Sequence, residues 1–184
     1  HAVNGLADRA AVAQAMASTL DRVDRLIAGS KGFIGTFSGD TLRLVVLPEY
    51  FLTSFPMGES ISEWRTKACI AMDGPEYERM GEIARNRGVY LSGNAYELDP
   101  HFPDLYFQTS FIISDDGEVI LRYRRLISMF APTPHDVLSQ YRDVYGDEGL
   151  FPVADTPLGR LACVASEEIL FPEVARALAT RGAE

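Results

Sequence analysis

The ten residues LRLVVLPEYF at positions 42–51 restrict the fold more than any other stretch. From Leu42 to Leu47 the run is apolar and partly β-branched, interrupted only by Arg43, and it lacks the polar alternation of a half-solvated strand. Pro48 closes it by removing a backbone donor. Such a run reads as a strand buried on both faces, and it therefore demands a layer of structure on each side. Upstream, Val12, Met16, Leu20, Val23 and Ile27 recur at spacings of four, four, three and four. They mark one face of a helix of about twenty residues, predicted to end at Gly29. Downstream, GPEYERMGEIARNRG places Pro75 at a helix start and Gly88 just past its end. VYLSGNAYE, YFQTSFIIS and EVILRYR read as three strands, the last two joined as a hairpin by Asp115-Asp116-Gly117. Residues 124–150 lapse into Pro, Asp, Tyr and Gly and are predicted to form a long loop, of a length that is usually functional or disordered. GRLACVA is then a strand and FPEVARALATRG a helix with Pro172 in its first turn. Alternation of helix and strand, with one hairpin, predicts an α/β fold in one domain over residues 1–184.

Composition narrows the function. A formal net charge of −9, with no Lys/Arg run, argues against nucleic acid and anionic membrane as partners. No apolar stretch is long enough to span a bilayer, and the first residues lack the pattern of a signal peptide. Two cysteines, Cys69 and Cys163, make neither a disulfide framework nor a metal site. The histidines, His1, His101 and His135, have no zinc-ligand spacing. A cytoplasmic protein without metal or other cofactor is expected. The chain starts at His1 and stops at Gly182-Ala183-Glu184 directly after a helical pattern, so it reads as a piece of a longer protein.

Three places can carry chemistry. Glu49 stands at the C-terminal end of the apolar strand, where α/β sheets keep their sites, and burial there suits a general base. Position alone is equally compatible with an exposed loop glutamate. Arg122, Arg124 and Arg125 end the strand EVIL, where a guanidinium can hold an oxyanion or a carboxylate, or simply face solvent. Ser166 falls between strand and helix, the position of a nucleophile elbow. Serine is also a favoured N-cap, and the sequence leaves both readings open.

In that order, LVVLPEYF, GEVILRYRR and SEEILFPEVARALATRGAE resemble the nitrilase superfamily of carbon-nitrogen hydrolases, from about Thr41 to the end of the chain. The resemblance implies a four-layer α-β-β-α sandwich, here without the family's first strand and its last third. It also implies a homodimer or larger homo-oligomer acting on a small amide, carbamoyl compound or nitrile. Carried over position by position, Glu49 matches the general base, Arg125 stands where the family has lysine, and Ser166 stands where it has the nucleophilic cysteine. Cys163, three residues earlier inside the strand, reads as core. The backbone N–H of Glu167 is implied as an oxyanion donor. A second family glutamate has no clear match; Asp136 and Asp143 are candidates, with Glu148 in an evident turn. Tyr50, with Phe51, Phe55 and Phe130, hints at a partly apolar ligand. Replacement of two of three signature residues implies a divergent branch. The readings are a hydrolase with altered catalysis, and a non-catalytic relative that binds a small carboxylate or amide or serves in assembly. A Ser/His/Asp hydrolase is disfavoured, because no Gly-x-Ser-x-Gly surrounds Ser166.

Overall fold

A computed structural model describes residues 2–184. Its centre is a mixed sheet in the order β1 (Leu44–Val46), β3 (Tyr90–Leu98), β4 (Phe107–Ile113) and β5 (Val119–Arg124), with short β2 (Ile70–Ala71) also pairing β3. β1 and β2 run parallel to β3, while β3–β4 and β4–β5 are antiparallel. The predicted hairpin turns through Gly117 at φ 90°, a conformation that a side chain would strain.

Strand alternation sends side chains to two layers. Leu91, Ala95, Phe111 and Ile113 pack against α1 (Arg9–Phe37), α2 (Ile61–Ala68) and α3 (Pro75–Arg87). Tyr90, Ile112, Leu121 and Tyr123 point the other way, onto the hairpin β6 (Ala154–Thr156)–β7 (Gly159–Leu161) and α5 (Pro172–Thr180). The helix α3 has the termini expected of it: Pro75 in the first turn and Gly88 in the left-handed conformation at φ 56°.

Several elements depart from expectation. The first helix continues through Gly29 to Phe37, because Gly29, Gly32 and Gly35 all face open space and Ile34 extends the apolar face beyond Ile27. Glycine lowers helix stability by about 1 kcal/mol without ending a helix that packing sustains. The strand at Leu44–Val46 is an edge strand and only half buried; Leu44 and Val45 pack on opposite layers, but Val46 is 69% exposed over a cavity. Only Gly159–Leu161 of the segment GRLACVA pairs as a strand, leaving 162–165 along that same cavity. Two helices escape the hydrophobic pattern, α2 and α4 (Leu138–Tyr145), the second lying within the stretch expected to be loop. Each is preceded by a capping box, Ser60/Glu63 before α2 and Thr133/Asp136 before the 3-10 turn that leads into α4. Among the described residues, no helix is long and apolar enough to cross a membrane.

The helix-side face of β5 carries a buried ionic network. Glu97, fully buried, accepts from Tyr77 Oη at 2.7 Å and pairs with Arg122 Nε at 3.0 Å and Arg124 Nη2 at 3.4 Å. Arg124 also meets Asp99 at 2.6 Å and lies over the rings of Phe107 and Tyr145 at 4.9 and 4.6 Å. Burial works against the Arg124 charge, but Glu97, Tyr141, Tyr145 and Asp99 outweigh it and hold the guanidinium above its ordinary range. Replacing Glu97 by Gln removes the shared countercharge and is expected to lower unfolding free energy by about 3 kcal/mol in urea titrations.

Candidate active site

Because β5 alternates, Arg122 and Arg124 are spent on Glu97 and Asp99, whereas Tyr123 packs into the layer of β6, β7 and α5 and Arg125 reaches the loops that follow β1 and β7. Of the three arginines, Arg125 alone meets Glu49. Its side chain is almost wholly buried. The Arg125 backbone N–H donates to Gln108 O at 3.0 Å, continuing the β4–β5 ladder, and its Nε donates to Ile127 O at 2.7 Å. From Nη1 it reaches Gln108 Oε1 at 2.6 Å, Glu49 Oε1 at 3.3 Å and the Tyr50 hydroxyl at 3.3 Å, and from Nη2 it pairs with Glu167. Gln108 completes the cluster by donating to Glu49 Oε1 at 2.6 Å.

Glu49 arrives there from the end of β1, and Tyr50 turns the chain at φ 56°, with its ring stacked on Tyr96 at 5.5 Å. Ser166 lies at φ 55°, also left-handed. A non-glycine residue in that region is strained by roughly 1 kcal/mol or more and persists only where its surroundings enforce it. The enforcement comes from Glu168. Fully buried, its Oε1 accepts from Tyr123 Oη at 2.8 Å, Leu126 N at 2.7 Å and Ile127 N at 3.1 Å, tying the Ser166 turn to the end of β5. Burial, and then the Glu168 carboxylate, pushes the Tyr123 hydroxyl up, so it remains a donor.

Ser166 is not a helix cap. The 3-10 turn 166–170 is capped by Ala165 and α5 by Phe171, neither through a side chain. Ser166 instead lines, with Glu49, a cavity of about 270 Å³ walled by Val46, Ser92 and Cys163. The N–H groups of Ser166 and Glu167 head the short turn, where a helix leaves its first donors free. Cys163 is buried core, and burial pushes its thiol up to about 11.

The structure therefore brings Glu49, Tyr50, Arg125, Ser166 and Glu167 into one cluster. Asp136 lies outside it; its carboxylate accepts from Thr133 N at 2.7 Å in the capping box. Asp143 is exposed and Glu148 pairs with Arg181, so the second carboxylate on Arg125 is Glu167. Gln108 and Glu168 also belong to the site, although the sequence alone does not single them out. Neither carries a distinguishing sequence signal, since Gln108 stands beside Thr109 and Ser110 in β4 and Glu168 beside Ser166 and Glu167 in the turn. Among the described residues, no group of three His, Cys, Asp or Glu side chains could hold a metal ion.

A sequence profile described as "Carbon-nitrogen hydrolase" matches residues 9–184. The chain belongs to the carbon-nitrogen hydrolase family. This carbon-nitrogen hydrolase chain is 32% identical over 146 residues to deaminated glutathione amidase of Yersinia enterocolitica, covering 78% of this chain and 49% of that protein. It is 34% identical over 144 residues to formamidase of Bacillus thuringiensis (strain Al Hakam), covering 77% and 39%. The chain thus spans about half, or less, of the length of these curated relatives. Among solved structures, Saccharomyces cerevisiae Nit3, a member of branch 10 of the nitrilase superfamily, superposes with TM-score 0.65 at 23% identity over 92% of this chain and 56% of that one. The amidase from Nesterenkonia sp. gives TM-score 0.58 at 21% identity, covering 92% and 57%. The fold is of the nitrilase type.

Two outcomes are expected, one at the Ser166 turn and one at Cys163. Ser166→Gly relieves the left-handed strain and stabilises the protein by about 1 kcal/mol relative to Ser166→Ala, measured as a rise in Tm. Iodoacetamide modifies Cys163 in the native state at pH 8 at least about a hundredfold more slowly than in urea, and the native rate climbs as pH rises towards 11.

Proposed function

We propose that this chain forms the nucleophile-bearing part of an amidase-like hydrolase acting on non-peptide C–N bonds of small amides, with Ser166 as nucleophile. The observation that carries the reading is the strained Ser166 turn, which shares a cavity with Glu49 beside the buried Arg125. The names of the family's curated relatives, an amidase and a formamidase, support the reaction class. In one solved structure of the Nesterenkonia amidase, acrylamide has added to that enzyme's active-site cysteine. The corresponding role falls to Ser166 here.

In this mechanism the Glu49 carboxylate takes the Ser166 hydroxyl proton as Oγ attacks the carbonyl carbon. The oxyanion develops beside the N–H of Glu167, with the Arg125 guanidinium supplying positive charge. Collapse breaks the C–N bond, and Glu49 returns the proton to the departing amine. Water deprotonated by Glu49 then attacks the acyl-serine ester, releasing the acid and Ser166. A serine hydroxyl is a far weaker nucleophile than a thiol, so activated esters should turn over faster than amides.

One observation favours a second reading. Glu49 Oε1 already accepts from Gln108 and Arg125, so that oxygen is engaged before any proton from Ser166 arrives. In that case the pocket binds an amide without turning it over.

Intact-mass spectrometry of the full-length protein with small amides and activated esters separates the two. The hydrolase reading expects an acyl adduct on Ser166 or product release, with Glu49→Gln lowering turnover by at least about a thousandfold. A parent that is inert towards every amide and ester, beside an active Ser166→Cys variant, would establish the binding reading.

A further inference from the structure

A second cavity, of about 250 Å³, lies on the Arg125 side of the cluster. Its walls are apolar, with Tyr50, Phe55, Met129 and Phe130 around the opening, and its floor is formed by Gln108, Arg125 and Glu167. Arg125 and Glu167 are the charged groups that line it among the described residues, and Glu49 reaches Arg125 from the neighbouring cavity. One guanidinium thus faces two carboxylates; the floor itself is formally neutral, and the cluster of Glu49, Arg125 and Glu167 behind it carries a formal charge of about −1. Every nitrogen of Arg125 is already engaged. Nε serves Ile127 O, Nη1 serves Gln108, Glu49 and Tyr50, and Nη2 serves Glu167. A ligand carboxylate entering here would meet no unpaired positive charge, would lie close to the Glu167 carboxylate and would have to compete with it for the guanidinium. An uncharged apolar group meets rings and a thioether instead, with the Gln108 amide and Tyr50 hydroxyl at its polar end.

We propose that this cavity is the subsite for an uncharged aromatic acyl group, and that Glu167, next to Ser166 in the chain, is the specificity residue that excludes carboxylate-bearing ligands. The proposal rests on the amidase-like reading of the same cluster and names its substrate class. It removes carboxylates from the ligands that an arginine in this position suggests.

The test measures binding apart from turnover. Titration calorimetry on full-length protein carrying Ser166→Ala uses phenylacetamide and phenylacetate, which share a ring and differ in charge. The amide is expected to bind at least tenfold more tightly. Adding Glu167→Gln should strengthen phenylacetate binding at least fivefold and leave phenylacetamide within twofold. Phe130→Ala, on a ring that is 84% exposed and dispensable for folding, should weaken phenylacetamide at least threefold. Equal binding of the two ligands, a preference unmoved by Glu167→Gln, an unaffected Phe130→Ala variant, or no binding of either ligand would overturn the proposal. Ammonia release from acetamide by the parent, a substrate too small to need the subsite, tests the hydrolase reading separately. Absence of that release together with the predicted charge selectivity would sink the hydrolase reading alone.

Discussion

A guanidinium cannot be taken out of water alone, and the candidate site is organised around meeting that requirement for Arg125. Its partners come from four separate parts of the chain: Glu49 and Tyr50 after β1, Gln108 in β4, Ile127 after β5, and Glu167 in the turn after β7. Each contact fixes one loop against another. Loops that would otherwise drift are held where Glu49 and Ser166 share a cavity.

That arrangement depends on a sheet that sorts charge by face. Three arginines within four residues at the end of β5 would repel one another on a single surface. Alternation places two of them over Glu97 and Asp99, Arg122 against Tyr77 of α3 and Arg124 within the aromatic layer of α4, and one over Glu49 and Glu167. The first group anchors β5 and α4 and belongs to stability. The second faces the cavities. Glu168 links the strained turn back to Tyr123 and to the backbone at Leu126 and Ile127, so the same strand end positions both the cation and the serine.

The elements legible in the sequence were those with strong local signals. Pro75 and Gly88 bounded a helix, Asp115-Asp116-Gly117 marked a hairpin, and Pro172 opened a helix, because each acts through backbone geometry within a few residues. The helices α2 and α4 escape the pattern because each is only eight residues long, too short for an apolar period to repeat, and their starts depend on capping boxes. Val46 was expected to be buried because composition reports an apolar run without reporting how completely the next layer covers it.

Sequence alone therefore determined the α/β class, the order of motifs around Glu49, Arg125 and Ser166, and the family those motifs resemble. Each depends on residue type and spacing. Tertiary structure decided that Arg125, rather than Arg122 or Arg124, meets Glu49, that Asp136 closes a capping box with Thr133, and that Glu167 is a second carboxylate paired with Arg125. It also decided that Ser166 is a strained turn residue and not a helix cap. Those outcomes turn on which face of a strand a side chain occupies and on contacts between residues dozens of positions apart, and neither is encoded in any local stretch of chain.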